Sequence, residues 1–282
     1  MTADPTIDRE AFKQFEREGF SGVAQSYDGA IAQITSQANE AILDAVEIAP
    51  GNRLLDVACG TGWLSAAALK RQAIVTALDY VENMVILGRS RFPQVEFLVG
   101  DAENLPFQPG EFDAVVCHLG ILHFPEPEKA IAESWRVLKS GGRYAFTCWT
   151  PPARNPFMAL ILGAVQTYGV IDVDLPPGPP LFRFGDPDEC KKSLSASGFT
   201  SVSITELPIK WTFSRPEDVV PIIITSSARL GPMLAMQTQE QRHNIENAII
   251  EEAKKYATDD GIEIPASVVL AVGRKVKMNV ET

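Results

Sequence analysis

Apolar residues recur along this chain in two rhythms. Over the first fifty positions the spacing is helical: Phe12, Phe15 and Phe20 form one stripe, and Ile31, Ile34, Ala38, Ile42 and Ala45 form another. Residues 1–50 are therefore expected to be helices packed over the edge of a core. From Arg53 onward short continuous apolar runs alternate with helical stretches: Leu54–Val57, Ile74–Leu78, Val95–Val99, Ala114–Cys117 and Tyr144–Cys148. Continuous runs mark strands buried on both faces, which predicts βαβ units and a parallel sheet. The helix before the fifth run is expected at Glu128–Leu138, with Ala130, Ile131, Ser134, Val137 and Leu138 facing inward and Gly141-Gly142 ending it.

After Trp149 the punctuation changes. Pro151-Pro152 and the run Leu175–Pro180 mark loops around a helix at Asn155–Tyr168. The core pattern returns with a helix at Asp186–Ser197, closed by Gly198, and with strands at Ser201–Trp211 and Ser267–Val272. Between those strands, residues 217–256 read as helical through Val219, Ile222, Ile223, Leu230, Ile245, Ile249 and Ala253. The expected fold class is α/β, a doubly wound Rossmann-like sheet of seven strands. Its expected organisation is N-terminal helices at 1–50, a ligand-binding core at 51–150, and 151–282 carrying the remaining strands with cap insertions at about 151–182 and 214–264.

Composition narrows the function classes. With 45% hydrophobic and 22% charged residues the chain is an ordinary globular protein, and its formal net charge of -11 disfavours a nucleic-acid partner. The pairs Lys191-Lys192 and Lys254-Lys255 read as solvated helix faces. Cys59, Cys117, Cys148 and Cys190 lie far apart without a Cys-x-x-Cys pair or a nearby His, so neither a disulfide framework nor a metal site is expected. The start, MTADPTIDRE, lacks a secretory pattern, and no apolar run approaches the ~20 residues of a membrane span. A cytoplasmic location is expected.

The chemistry concentrates in Leu54-Leu55-Asp56-Val57-Ala58-Cys59-Gly60-Thr61-Gly62-Trp63. A strand that ends in an acid and turns through glycines into a helix lets the backbone approach a nucleotide-type ligand closely, beside unpaired N–H groups of the helix start. A nicotinamide-dinucleotide turn is the rival reading of Gly60-x-Gly62-x-x-Ser65. It is opposed by Ser65 in the third glycine position and by Asp56, whose carboxylate would face a pyrophosphate. A second acid, Asp79, ends the next strand, where a carboxylate can accept both hydroxyl protons of a ribose.

The stretch from Asp56 to Gly62, with Ala58 in the first small-residue position, resembles the first motif of the class I S-adenosylmethionine (AdoMet)-dependent methyltransferases. Gly100-Asp101-Ala102-Glu103-Asn104-Leu105-Pro106-Phe107 is similar to another motif of that family. Glu111–Phe124 and Arg136–Gly142 narrow the resemblance to the ubiquinone and menaquinone biosynthesis subgroup, over about residues 50–150. It implies an AdoMet-dependent methyltransferase, with S-adenosylhomocysteine as product, whose last strand is reversed. It further implies Met84 as an adenine contact, Asp101 and the Ala102 N–H as readers of the adenine edge, and Tyr27 as a residue that closes over the cofactor from the N-terminal helices. Three of the site residues have a plainer alternative: Met84 as core, Asp79 as a helix cap and Tyr27 as an anchor for the helices.

His118 and Leu119 fall at a strand's carboxyl end, where open α/β sheets bind ligands. His118 and His123 are the candidate bases, or else packing residues, whereas His243 sits in a polar run and is expected to be exposed. Trp149, Phe157, Phe182, Phe184 and Trp211 are candidates for an aromatic acceptor pocket, or for core. The resemblance also disfavours nucleic-acid bases: His118-Leu119-Gly120-Ile121 stands where enzymes acting on them carry Asp/Asn-Pro-Pro-aromatic. The expected partner is a small-molecule methyl acceptor, met by a monomer or homodimer. AdoMet binding without methyl transfer, or ligand sensing, and an NAD-linked oxidoreductase are the alternatives.

Overall fold

The structure, a computed structural model, describes residues 7–276. Three helices come first, α1 (Arg9–Gly29), α2 (Ile31–Thr35) and α3 (Asn39–Ala45). Asp8 caps α1 by accepting the Ala11 N–H at 3.1 Å. The core alternates β1 (Arg53–Val57), α4 (Trp63–Lys70), β2 (Ile74–Asp79), α5 (Glu82–Arg91), β3 (Glu96–Val99), β4 (Phe112–Cys117), α6 (Pro127–Val137) and β5 (Leu138–Trp149). Then follow α7 (Pro156–Tyr168), α8 (Pro187–Ala196) and β6 (Phe199–Phe213). The chain continues through α9 (Val219–Ser226), α10 (Leu230–Ala235), α11 (Gln239–Ala253), the two-residue β7 (Ala257–Thr258) and β8 (Gly261–Lys275).

The main path of the sheet runs β3-β2-β1-β4-β5-β8-β6, with β7 paired to β8 at one end. The first five strands pair in parallel, while β8 runs antiparallel to both β5 and β6. This is the expected seven-stranded doubly wound sheet with a reversed last strand, plus one short extra strand. The sheet order reverses between β1 and β4, and a crevice opens outside their carboxyl ends, where ligands bind in such sheets.

Two elements differ from the sequence expectation, and one is more finely divided. The helix α6 ends at Val137, and Gly141-Gly142 lie inside β5. Its terminal carbonyls are held instead by the buried Lys275 ammonium, which donates to the Trp135 and Leu138 oxygens at 2.7 Å each. The stretch 217–256 is helical as expected and is divided into α9, α10 and α11, with breaks at Ser227–Arg229 and at Met236–Thr238, where Thr238 and Gln241 form a capping box for α11. Finally, β8 begins at Gly261, so the end of the 214–264 segment is sheet, with Ile262 and Ile264 opposite Phe213 and Trp211.

Candidate active site

The turn after β1 is built from backbone that most residues avoid. Ala58 and Gly60 both have φ of 54°, and Gly62, which caps α4, has φ of 87°. A Cβ on Gly62 would stand 2.5 Å from the Phe97 ring, so this glycine serves close packing of the turn on β3. Asp79, at the end of β2, clamps the turn: its carboxylate accepts the Gly60 N–H at 2.7 Å and the Val81 N–H at 2.8 Å. Asp56 is buried under the turn and accepts the Ser65 hydroxyl at 2.6 Å.

Burial pushes the Asp56 carboxyl up to about 7, against the opposing Ser65 hydrogen bond and with a further push from the charge of Asp79. Burial also raises Asp79, although the Val81 and Gly60 N–H groups act the other way. Two acids thus share a buried site with no cation hydrogen-bonded to either carboxylate among the described residues. Such a site favours a cationic ligand and opposes an anionic one.

Two cavities meet at the turn. One, of about 100 Å³, has Asp79, Met84, Asp101, Ala102 and the Tyr27 ring in its wall. The other, of about 40 Å³, has Asp56, Thr35, Asn39 and Thr61. Tyr27, Ala58, Gly60 and His118 belong to both walls. The sequence-derived set is therefore brought together, Gly62 excepted, which packs behind the turn. Asp101 is already engaged, since it accepts the Glu103 N–H at 2.9 Å and pairs with Lys13 at 2.6 Å.

Helix α1 closes this site from above, through residues the sequence did not single out. Lys13 bridges Asp101 and Glu103, at 2.6 and 2.7 Å. Near the far end of α1, the buried Asp28 accepts the Thr61 hydroxyl at 2.7 Å and the Trp63 indole N–H at 2.9 Å, and pairs with Arg91. The Tyr27 phenol, beside Asp28, is pushed up to about 12 by burial and the nearby Asp79 charge.

The histidines separate into distinct settings. His118 has both ring nitrogens engaged: Nε2 must donate to the Thr35 carbonyl at 3.0 Å, and Nδ1 then accepts from the Thr147 hydroxyl at 2.7 Å. The Thr147 oxygen in turn accepts the Leu119 N–H at 2.9 Å, and burial pushes His118 down to about 4. It is a neutral strut between β4, β5 and α2, with no free nitrogen to take a proton. His123 bonds through Nδ1 alone, to Glu16 at 2.8 Å, and its Nε2 makes no hydrogen bond among the described residues. His243 is exposed on α11.

A third cavity, of about 420 Å³, adjoins the first along a wall shared by Glu16, Phe20, Tyr27, Leu119 and His123. Four of the five candidate aromatics, Trp149, Phe157, Phe182 and Trp211, line it, and Phe157 stacks on Trp211 with centroids 3.9 Å apart. The fifth, Phe184, is instead core, edge-on to Phe146 at 5.3 Å. Ile223, Arg229 and Met233 from the 214–264 segment and Leu162, Ile171 and Leu181 from the 151–182 segment complete the wall.

Comparison with known proteins follows this geometry. A family model described as "Methyltransferase domain" matches residues 55–146, the turn and the strands around it. The demethylmenaquinone methyltransferase of Renibacterium salmoninarum is 41% identical over 116 residues, 41% of this chain and 49% of that protein. The demethylmenaquinone methyltransferase of Deinococcus radiodurans is 33% identical over 175 residues, 57% of this chain and 72% of that protein. Against some of these curated relatives the chain spans only about half their length, 49% and 53% in two cases. The solved phosphoethanolamine N-methyltransferase 2 of Haemonchus contortus, bound to S-adenosylhomocysteine, superposes over 86% of this chain and 53% of its own with a TM-score of 0.52. At 19% identity that likeness is one of fold.

Proposed function

The chain belongs to the class I AdoMet-dependent methyltransferases of the ubiquinone and menaquinone biosynthesis type, and from that membership we propose that it binds AdoMet at the β1–β2 turn and methylates a small, largely apolar acceptor in the adjoining aromatic cavity. The observation that carries this reading is the shared wall: a site with two buried acids opens beside an apolar cavity through Glu16, Tyr27 and His123.

The residues fit AdoMet by their chemistry. Asp79 would accept the ribose hydroxyl protons through its remaining lone pairs, and Met84, Asp101 and Ala102 would face the adenine. Asp56, Ala58, Gly60 and His118 would border the methionine end, where a buried carboxylate suits an ammonium group. Tyr27 would close the site from α1. Bound AdoMet supplies a methyl group already activated on a cationic sulfonium. The protein's share is then to align the acceptor about 3–3.5 Å from that carbon and to exclude water. The closed α1 and the apolar cavity wall serve both ends. His123 is placed to take a proton if the acceptor atom bears one, whereas His118 orients Leu119 and the turn around it.

We take residues 51–150 as the cofactor half, residues 1–50 as its cover, and the insertions at about 151–182 and 214–264 as the acceptor cap. Among the described residues no helix is long and apolar enough to cross a membrane. The four cysteines are free thiols, which suits a cytoplasmic setting. The acidic net charge of -11 argues for a metabolite rather than a nucleic acid. The test is incubation of the protein with methyl-labelled AdoMet and a panel of phenols, quinols and hydroxylated or aminated ring compounds. Enzyme-dependent label in one of them supports the proposal, and cofactor binding without label in any acceptor class would favour the non-methylating alternative.

A further inference from the structure

The contact between Glu16 and His123 spans 107 positions and joins the covering helix to the candidate base. Glu16 is buried, 7% exposed, on the face of α1 turned to both large cavities. A buried carboxylate needs partners. Its partner here is the His123 Nδ1 at 2.8 Å. An ionised carboxylate can only accept, so Nδ1 carries the proton, and in the neutral ring the free lone pair is the one on Nε2. Phe20, one turn further along α1, stands edge-on to the imidazole at 4.9 Å and fixes the plane of the ring. The same helix is docked by Lys13 on Asp101 and Glu103 and by Arg9 on Glu126.

Resting on the methyltransferase reading above, we propose that Glu16 is a positioning residue: it sets the tautomer and orientation of the His123 base, so the base is assembled only when α1 is closed over the cofactor cavity. In the step so served, the acceptor atom forms a bond to the methyl carbon as the carbon–sulfur bond breaks and its electron pair stays on sulfur. The acceptor's proton passes to His123 Nε2, and Glu16 stabilises the resulting imidazolium. The sulfonium charge is thus replaced by one positive charge on His123. The titratable and charged groups that share a cavity wall with His123 are Glu16, Lys13, Arg17 and Tyr27 from α1, Asp79 and Tyr80 at the end of β2, Asp101 from the loop after β3, His118 after β4, and Arg229 before α10. Of these, Glu16 alone is hydrogen-bonded to the ring.

The chain has three histidines, so long-range proton–nitrogen NMR resolves each ring, and the His123 signal is identified by its loss in His123→Asn. In its neutral form the wild-type His123 ring should be the Nδ1–H tautomer. In Glu16→Ala that tautomer should give way to a mixture dominated by Nε2–H. Glu16→Gln, whose amide oxygen can still accept from Nδ1, should keep the tautomer. With any acceptor recovered from the panel, Glu16→Ala should lower kcat about tenfold or more. Glu16→Gln, which keeps the acceptor for Nδ1, should retain most of the kcat that Glu16→Ala loses, with KM little changed in either variant. An Nε2–H tautomer in the wild type, or spectra unchanged in both variants, would overturn the proposal. Failure of S-adenosylhomocysteine to bind the wild type would instead remove the methyltransferase reading and leave the His123 tautomer result standing.

Discussion

Asp56 is the residue whose behaviour follows most directly from its surroundings. Its carboxyl is raised by burial to about 7, so the folded protein holds a proton that the unfolded chain releases near the ordinary value of 3.8. The folded state therefore binds more protons than the unfolded one between about 4 and 7, and this group's contribution to stability is present below that window and lost as pH rises through it. A cationic ligand prefers the ionised acid, so AdoMet affinity should rise with pH toward 7 and then level, with proton release on binding near pH 6–7. Calorimetry in buffers of different ionisation enthalpy reads that release, and Asp56→Asn should abolish it. Asp79→Ala should weaken AdoMet binding by about 1–3 kcal/mol, through loss of the ribose contacts and of the Gly60 clamp. Unchanged affinity in an equilibrium titration would remove Asp79 from the site.

Helix α1 combines the roles of cover, clamp and second wall. Lys13→Ala removes its bridge to Asp101 and Glu103, and S-adenosylhomocysteine should then dissociate about fivefold faster, the equivalent of about 1 kcal/mol. Stopped-flow displacement measures this, and an unchanged rate would mean that α1 does not gate release. The same helix shows where sequence reading stops. Asp56, Gly60, Gly62, Asp79 and Asp101 were legible because each lies at or just after a strand end in a short motif whose local backbone dictates its use. Glu16, Asp28 and Thr147 were not, since their meaning lies in contacts 107, 33 and 29 positions away, which no local period encodes. Tyr27 was legible through its local motif, and its neighbour Asp28 shares with Glu16 the stripe of Phe12, Phe20 and Ala24, where an acid at each of two core-facing positions was the available signal. The extent of α6 failed for a related reason: Lys275, far along the chain, does the capping that Gly141-Gly142 were expected to do.

In the molecule as a whole, the sheet sets two cavities side by side, one at the crevice of β1 and β4 and one walled by the insertions after β5 and β6, and the proposed function assigns the cofactor to the first and the acceptor to the second. The first half of that plan was readable from strands and glycines. The second was readable only as a list of candidate aromatics with core as the alternative, since Phe157 on α7 and Trp211 on β6 are far apart in sequence and become neighbours only in the folded chain. Narrowing the aromatic cavity with Leu162→Phe should leave S-adenosylhomocysteine binding within about twofold while labelled methyl transfer falls about tenfold or more. Equal loss of both would make the cavity part of the cofactor site. The claim on which the rest depends is that the turn after β1 binds AdoMet, and a calorimetric titration of AdoMet into the wild-type protein at pH 7.5 tests it. One saturable site per chain, weakened at pH 6 and in Asp79→Ala, is the expected result, and no binding of AdoMet or S-adenosylhomocysteine to the folded protein would contradict it.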